Sequence, residues 1–204
     1  MNFLDEFGLE VLGLTSNKKM TDSDWKETLL GSSATTIGAA GCTVTAWTNI
    51  INTENGNTNQ TPATVGGKDS AYMDGSKLNT RESAFNGLTN STSNVTKTTN
   101  TPANPNAVST ALASLETSSK NYYVTGRADI SYKDSNGIVQ TINHEVNITG
   151  VNLNKEGKIV SIDVQGTSKN DASRKYQIEP VVKGTIGVGQ ISEIYSVESK
   201  KKNK

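Results

Sequence analysis

The sequence predicts an α+β domain in which helices come first and an antiparallel sheet follows. Two observations carry this prediction. Before Lys120 apolar residues recur every three or four positions, whereas after it they alternate every second position. The second half is also cut by short turns, Asp134-Ser135-Asn136-Gly137 and Lys155-Glu156-Gly157, that return each strand onto its predecessor.

Taken in order, residues 1–16 read as a lead-in, 17–197 as the folded domain and 198–204 as a basic, solvated tail. Residues 22–31 (DSDWKETLLG) read as a short helix capped by Asp22 or Ser23, with Trp25, Leu29 and Leu30 facing inward. The loop GSSATTIGAAG follows, and then CTVTAWTNIIN, in which Val44, Trp47, Ile50 and Ile51 fall at helical spacing. Gly38 and Gly41 punctuate the chain just before it, which puts Cys42 at or near the first turn of a buried helix. Residues 52–71 are polar, with turns at Pro62 and Gly66-Gly67, and 86–106 read as a long surface loop of Asn, Thr, Ser, Gly and Pro. Pro105 opens a helix over 105–117 with Val108, Leu112 and Leu115 on one side. Strands are expected from Tyr123 to Tyr132, Val139 to Val151, Lys158 to Val164, Tyr176 to Val182 and Gly189 to Val197.

Composition narrows the function classes. With 204 residues and 33% hydrophobic content, the chain supports one modest core wrapped in polar loops. Twenty basic and 20 acidic residues balance, so no basic face speaks for nucleic acid. No apolar run approaches the roughly 18 residues of a membrane helix. Asp5, Glu6 and Glu10 stand where a signal peptide would be basic, so export would need a dedicated system, and otherwise the chain stays in the cytoplasm. One cysteine excludes an intramolecular disulfide and one histidine excludes a His-rich metal site. A monomer without metal or cofactor is expected, and any Cys/His chemistry must use Cys42 and His144.

A thiol hydrolase needs a nucleophilic sulfur, an imidazole that accepts and returns its proton, and a third group that orients the imidazole. At a helix N-terminus the macrodipole and free N–H groups favour a thiolate, and the Cys42 N–H can face a developing oxyanion. The alternative is that Cys42 is a small buried hydrophobe. His144, in INHEVNITGV, shares a strand face with Ile142, Val146 and Ile148 and points toward the core. A lone histidine on such a face is more often a hydrogen-bonded core residue than a catalyst. Asp163 lies on the next strand and is the first candidate for the third group, ahead of Asn170 and Asp171; a solvated strand-end carboxylate is its other reading.

Two blocks, residues 22–65 and 143–178, resemble the papain-like group that includes the bacteriocin-leader (double-glycine) peptidases. The matching residues are Asp22…Trp25, Thr36-Ile37-Gly38-Ala39-Ala40-Gly41-Cys42, the apolar helix Val44 to Ile51 and Thr61-Pro62. His144-Glu145-Val146-Asn147-Ile148-Thr149-Gly150-Val151, Gly157-Lys158-Ile159 and Asp163 follow in the second block. The resemblance implies a papain-like fold and a peptidase-like hydrolase acting on a protein or peptide. In it Cys42 attacks as an ion pair with His144, and Asp163 holds the imidazole. Other implied readings are a papain-like module that binds without reacting, or a deamidase or transglutaminase using the same nucleophile. Two positions depart from the pattern. Met20 stands where the group has an oxyanion-hole glutamine, which leaves Asn17 or Thr21 as the side-chain donor, and Val164 replaces the proline after the aspartate. The lead-in Asn2-Phe3-Leu4-Asp5-Glu6-Phe7-Gly8-Leu9 resembles the end of an Rhs-type toxin core, with Glu6 for the usual proline. That likeness implies a delivered effector with a cognate immunity protein.

Overall fold

The computed structural model describes residues 11–133, 136–167 and 184–201. Its centre is a six-stranded sheet, every neighbouring pair antiparallel, in the order β3-β8-β4-β5-β6-β7. The strands are β3 (Val95–Thr99), β4 (Tyr122–Lys133), β5 (Val139–Leu153), β6 (Ile159–Gln165), β7 (Gly184–Ile186) and β8 (Ile191–Glu198). The α+β class is as the sequence predicts. So are the β4–β5–β6 succession and the turn at Gly157, which takes a left-handed φ of 74°. The expected strand over 176–182 and the turn residues Asp134 and Ser135 lie outside the described residues.

Helices cover both faces of the sheet. On one face α5 (Ala107–Glu116) buries Val108 and Leu112 against Val124, Ala128, Val146, Ile148, Ile162 and Ile194. The other face meets α2 (Cys42–Asn55), whose Val44, Trp47, Ile50 and Ile51 are all buried, as their spacing requires. Each such side chain taken out of water contributes about 1.5–3 kcal/mol. Asn147 of β5 donates from Nδ2 to the Ala46 carbonyl at 3.0 Å, fixing helix to sheet in a dry layer. The α4 helix (Arg81–Thr89) packs Phe85 edge-on against Trp47, ring centroids 6.4 Å apart. A short α1 (Ile37–Ala40) precedes Gly41, and α3 (Pro62–Gly66) places Gly66 against Val44. A small hairpin, β1 (Met73–Asp74) and β2 (Lys77–Leu78), completes this side.

Several expectations change. Residues 22–31 form consecutive turns instead of a helix. Asp22 turns back to accept the Lys19 N–H at 3.0 Å, and Trp25 is buried with its Nε1 donating to the Lys19 carbonyl. Within 52–71 the Thr61-Pro62 pair starts α3 through a capping box instead of marking only a turn. The surface loop expected over 86–106 holds the end of α4 and the edge strand β3, whose threonines suit a half-exposed strand. Residues 11–16 are part of the domain: Val11 is buried, and the Thr15 and Ser16 amides bond Thr53. The tail also begins folded. Ser199 donates to Glu54 at 2.7 Å, and Lys201 reaches the Thr53 carbonyl.

Among the described residues no helix is long and apolar enough to cross a membrane.

Candidate functional site

The local fold brings the sulfur to a mouth between helix and sheet. Gly41 takes φ −82° and ψ 19°, ends α1 and starts α2. A Cβ there would stand 2.6 Å from the Ile37 carbonyl oxygen, so the tight junction requires glycine. No side chain caps the start of α2, and its first N–H groups have no intrahelical acceptors. Cys42, partly exposed, opens into a cavity of about 1050 Å³ between α2, the β1–β2 hairpin and the sheet. His144 lines the same cavity. The chain's single thiol and single imidazole therefore both line this cavity.

Burial pushes the Cys42 thiol above its ordinary range. The backbone N–H of Glu145, in the peptide that follows His144, pulls it down, as do Arg127 and the Thr43 N–H, while the Glu145 carboxylate adds to the rise. His144 is 5% exposed, and burial holds its imidazole down at about 4, with Arg127 and Lys19 acting the same way against the pull of Glu145. Both shifts favour neutral groups near pH 7. The preformed ion pair expected for Cys42 and His144 is therefore disfavoured, because neither charge has enough water or counter-charge to compensate its burial.

Thr167, not Asp163, holds the imidazole. Its Oγ1 lies 2.8 Å from His144 Nε2 and donates to the Glu145 carbonyl at 3.1 Å. A hydroxyl has one proton, so with that proton on the carbonyl the oxygen accepts from Nε2–H. Nδ1 is then the unprotonated nitrogen. Asp163 instead pairs with Gly150, six positions along β5 from His144, about 20 Å at the usual rise per residue. Its carboxylate lies over Gly150, where a Cβ would stand 3.1 Å from Oδ2. The strand pairing was foreseen, but the register carries Asp163 to the wrong end. Asn170 and Asp171 lie outside the described residues.

The oxyanion-hole expectation also changes. Met20 is buried and lines the cavity, whereas Asn17 and Thr21 are not among its lining residues. The Met20 amide donates to the Thr167 carbonyl at 2.7 Å, which ties this segment to the loop that holds His144. The other expected donor, the Cys42 N–H, lies at the start of α2.

Sequence reasoning missed Glu145. Its side chain is fully buried and accepts from Thr43 at 2.7 Å, Thr125 at 2.9 Å and Arg81 at 3.1 Å, with Arg127 at 3.9 Å. Arg127 also approaches Glu193, which pairs with Lys97 at 2.6 Å. Arg81 stacks 3.7 Å over the Tyr195 ring. A charged network thus forms one wall and floor of the cavity. Among the described residues no group of three or more His, Cys, Asp or Glu could hold a metal ion.

Neither a protein-family model nor a curated protein matches this chain.

Proposed function

We propose that the chain is a cysteine-dependent hydrolase of amides or esters with a papain-like arrangement of nucleophile helix and sheet. One observation carries the reading: the lone thiol, at an uncapped helix start, and the lone imidazole line one cavity. Because burial keeps both groups neutral, the thiol proton passes to His144 Nδ1 as sulfur attacks the substrate carbonyl. The carbonyl oxygen becomes an oxyanion facing the Cys42 N–H at the positive end of α2. On collapse the proton moves from Nδ1 to the leaving amine or alkoxide, leaving a thioester on Cys42. Water, deprotonated by the same Nδ1, then releases the acid and the thiol. In this reading Thr167 is a positioning residue: it holds Nε2 and leaves Nδ1 as the nitrogen that takes the thiol proton. A neutral hydroxyl stabilises an imidazolium less than a carboxylate would, which fits the depressed basicity of His144.

A papain-like module that binds without reacting is the second reading. Met20 in the place of a donor and the neutral pair favour it. Hydrolysis of p-nitrophenyl acetate separates the two. The wild type should exceed the uncatalysed rate by at least about a hundredfold, the low end of general-base catalysis. Cys42→Ala should return to background with an unchanged circular dichroism spectrum. Equal hydrolysis by Cys42→Ala would end the hydrolase reading. The Rhs likeness falls in residues 1–10, outside the described residues, so delivery as a toxin and a partner immunity protein stay proposals that rest on sequence alone.

A further inference from the structure

The charges on the cavity wall do not balance. Lys77, Arg81, Lys97 and Arg127 line it, against Glu193 on the wall and Glu145 buried beneath. Arg81 and Arg127 share Glu145, while Arg127 and Lys97 share Glu193, so two carboxylates serve three cations. Lys77 makes no ion pair among the described residues and is exposed on β2. The buried Nε of Arg81 has no acceptor among them either. Four lining cations thus face two carboxylates, with Asp74 opposite Lys77 on the β1–β2 hairpin as a further acid, which leaves a net positive charge of one to two around a cavity that also receives the positive end of α2.

From this imbalance we infer that the cavity takes an anionic substrate, a peptide with an Asp or Glu side chain next to the amide presented to Cys42. The inference rests on the hydrolase reading and names the substrate class of that same site. A carboxylate seated there meets Lys77 at the rim and the positive field of Arg81 on the wall, while Glu145 keeps its own partners. A basic peptide would meet four cations and displace none of the existing pairs. Such a site selects by repulsion as much as by attraction.

Alkylation of Cys42 tests the substrate class without requiring turnover. Iodoacetate and iodoacetamide perform the same displacement of iodide by sulfur, and only iodoacetate carries a carboxylate. One to two excess charges at roughly 8 Å in a water-like dielectric raise an anion's rate about two- to fivefold. At pH 8.5 the iodoacetate-to-iodoacetamide rate ratio for Cys42 should exceed that of glutathione by this factor. Raising salt from about 0.05 to 0.5 M should collapse the excess, since screening then acts within a few ångströms. Lys77→Gln combined with Arg127→Gln should lower the ratio toward the glutathione value. A ratio equal to that of glutathione in the wild type, with both reagents reacting, would overturn the acidic-substrate inference and leave the hydrolase intact. Failure of Cys42 to react with either reagent until the protein unfolds would overturn both.

Discussion

At the scale of single residues, His144 makes the sharpest statement. Its pKa falls from the ordinary 6.5 to about 4 on folding, chiefly through burial. A depressed folded pKa means that the unfolded chain binds more protons between these values. Stability from this group is complete above pH 6.5 and is lost as pH falls toward 4. Chemical denaturation at pH 4.5 and pH 7.5 should show a difference of about 2–3 kcal/mol from this residue alone. His144→Asn should remove that share of the pH dependence, and an unchanged slope would mean that the imidazole is not buried. Thr167→Val tests its partner. Losing the hydroxyl leaves Nε2–H and the Glu145 carbonyl unpaired, at a cost of about 1–3 kcal/mol by urea denaturation. On the hydrolase proposal, the same variant should lower kcat with KM little changed in the ester assay, because the imidazole loses the partner that fixes Nε2. Neither Thr167 nor Glu145 was legible as a site residue from the sequence. Thr167 becomes visible only by extending the register in which Asn147 faces Gln165 by two further positions. Glu145 lies opposite in phase to Val146 and Ile148, which reads as a solvent-facing side chain whenever only one sheet face is covered.

Among the elements, the junction of α1 and α2 decides where the sulfur sits. Gly41→Ala would drive a methyl to 2.6 Å from the Ile37 backbone, which moves only if the junction moves. The expected cost is about 1–3 kcal/mol, as for other overpacked sites. A thermal melt would read it, and alkylation of Cys42 should change together with the melting temperature. The helix itself was legible because four apolar residues at helical spacing outweigh its threonines, whose hydroxyls bond back to carbonyls, as Thr48 does to Val44 at 2.8 Å. The turns over 22–31 were not, since Trp25 and Leu30 are buried as a helix would bury them, but by a chain that reverses to meet Thr36. Nor was β3, because its polar threonines look like loop until a neighbouring strand supplies the ladder.

At the scale of the whole molecule, Glu145 ties two layers together, accepting from α2 through Thr43, from α4 through Arg81 and from β4 through Thr125. Glu145→Gln leaves a guanidinium facing a neutral group in a dry place, and removing one member of such a pair costs about 3–5 kcal/mol. Equilibrium denaturation would measure it; a loss below about 1 kcal/mol would mean that the charges are solvated. The overall architecture was readable because the change from helical to alternating spacing survives any packing detail, whereas the way charges meet across layers depends on registers no local pattern specifies. The strap formed by Ser199, Lys200 and Lys201 lies across the last turn of the helix that begins with Cys42. Trimming those residues, or fusing a bulky tag close behind them, would loosen the far end of the rod whose near end carries the reactive atom, so a purification handle placed there should blunt thiol reactivity from a whole helix length away.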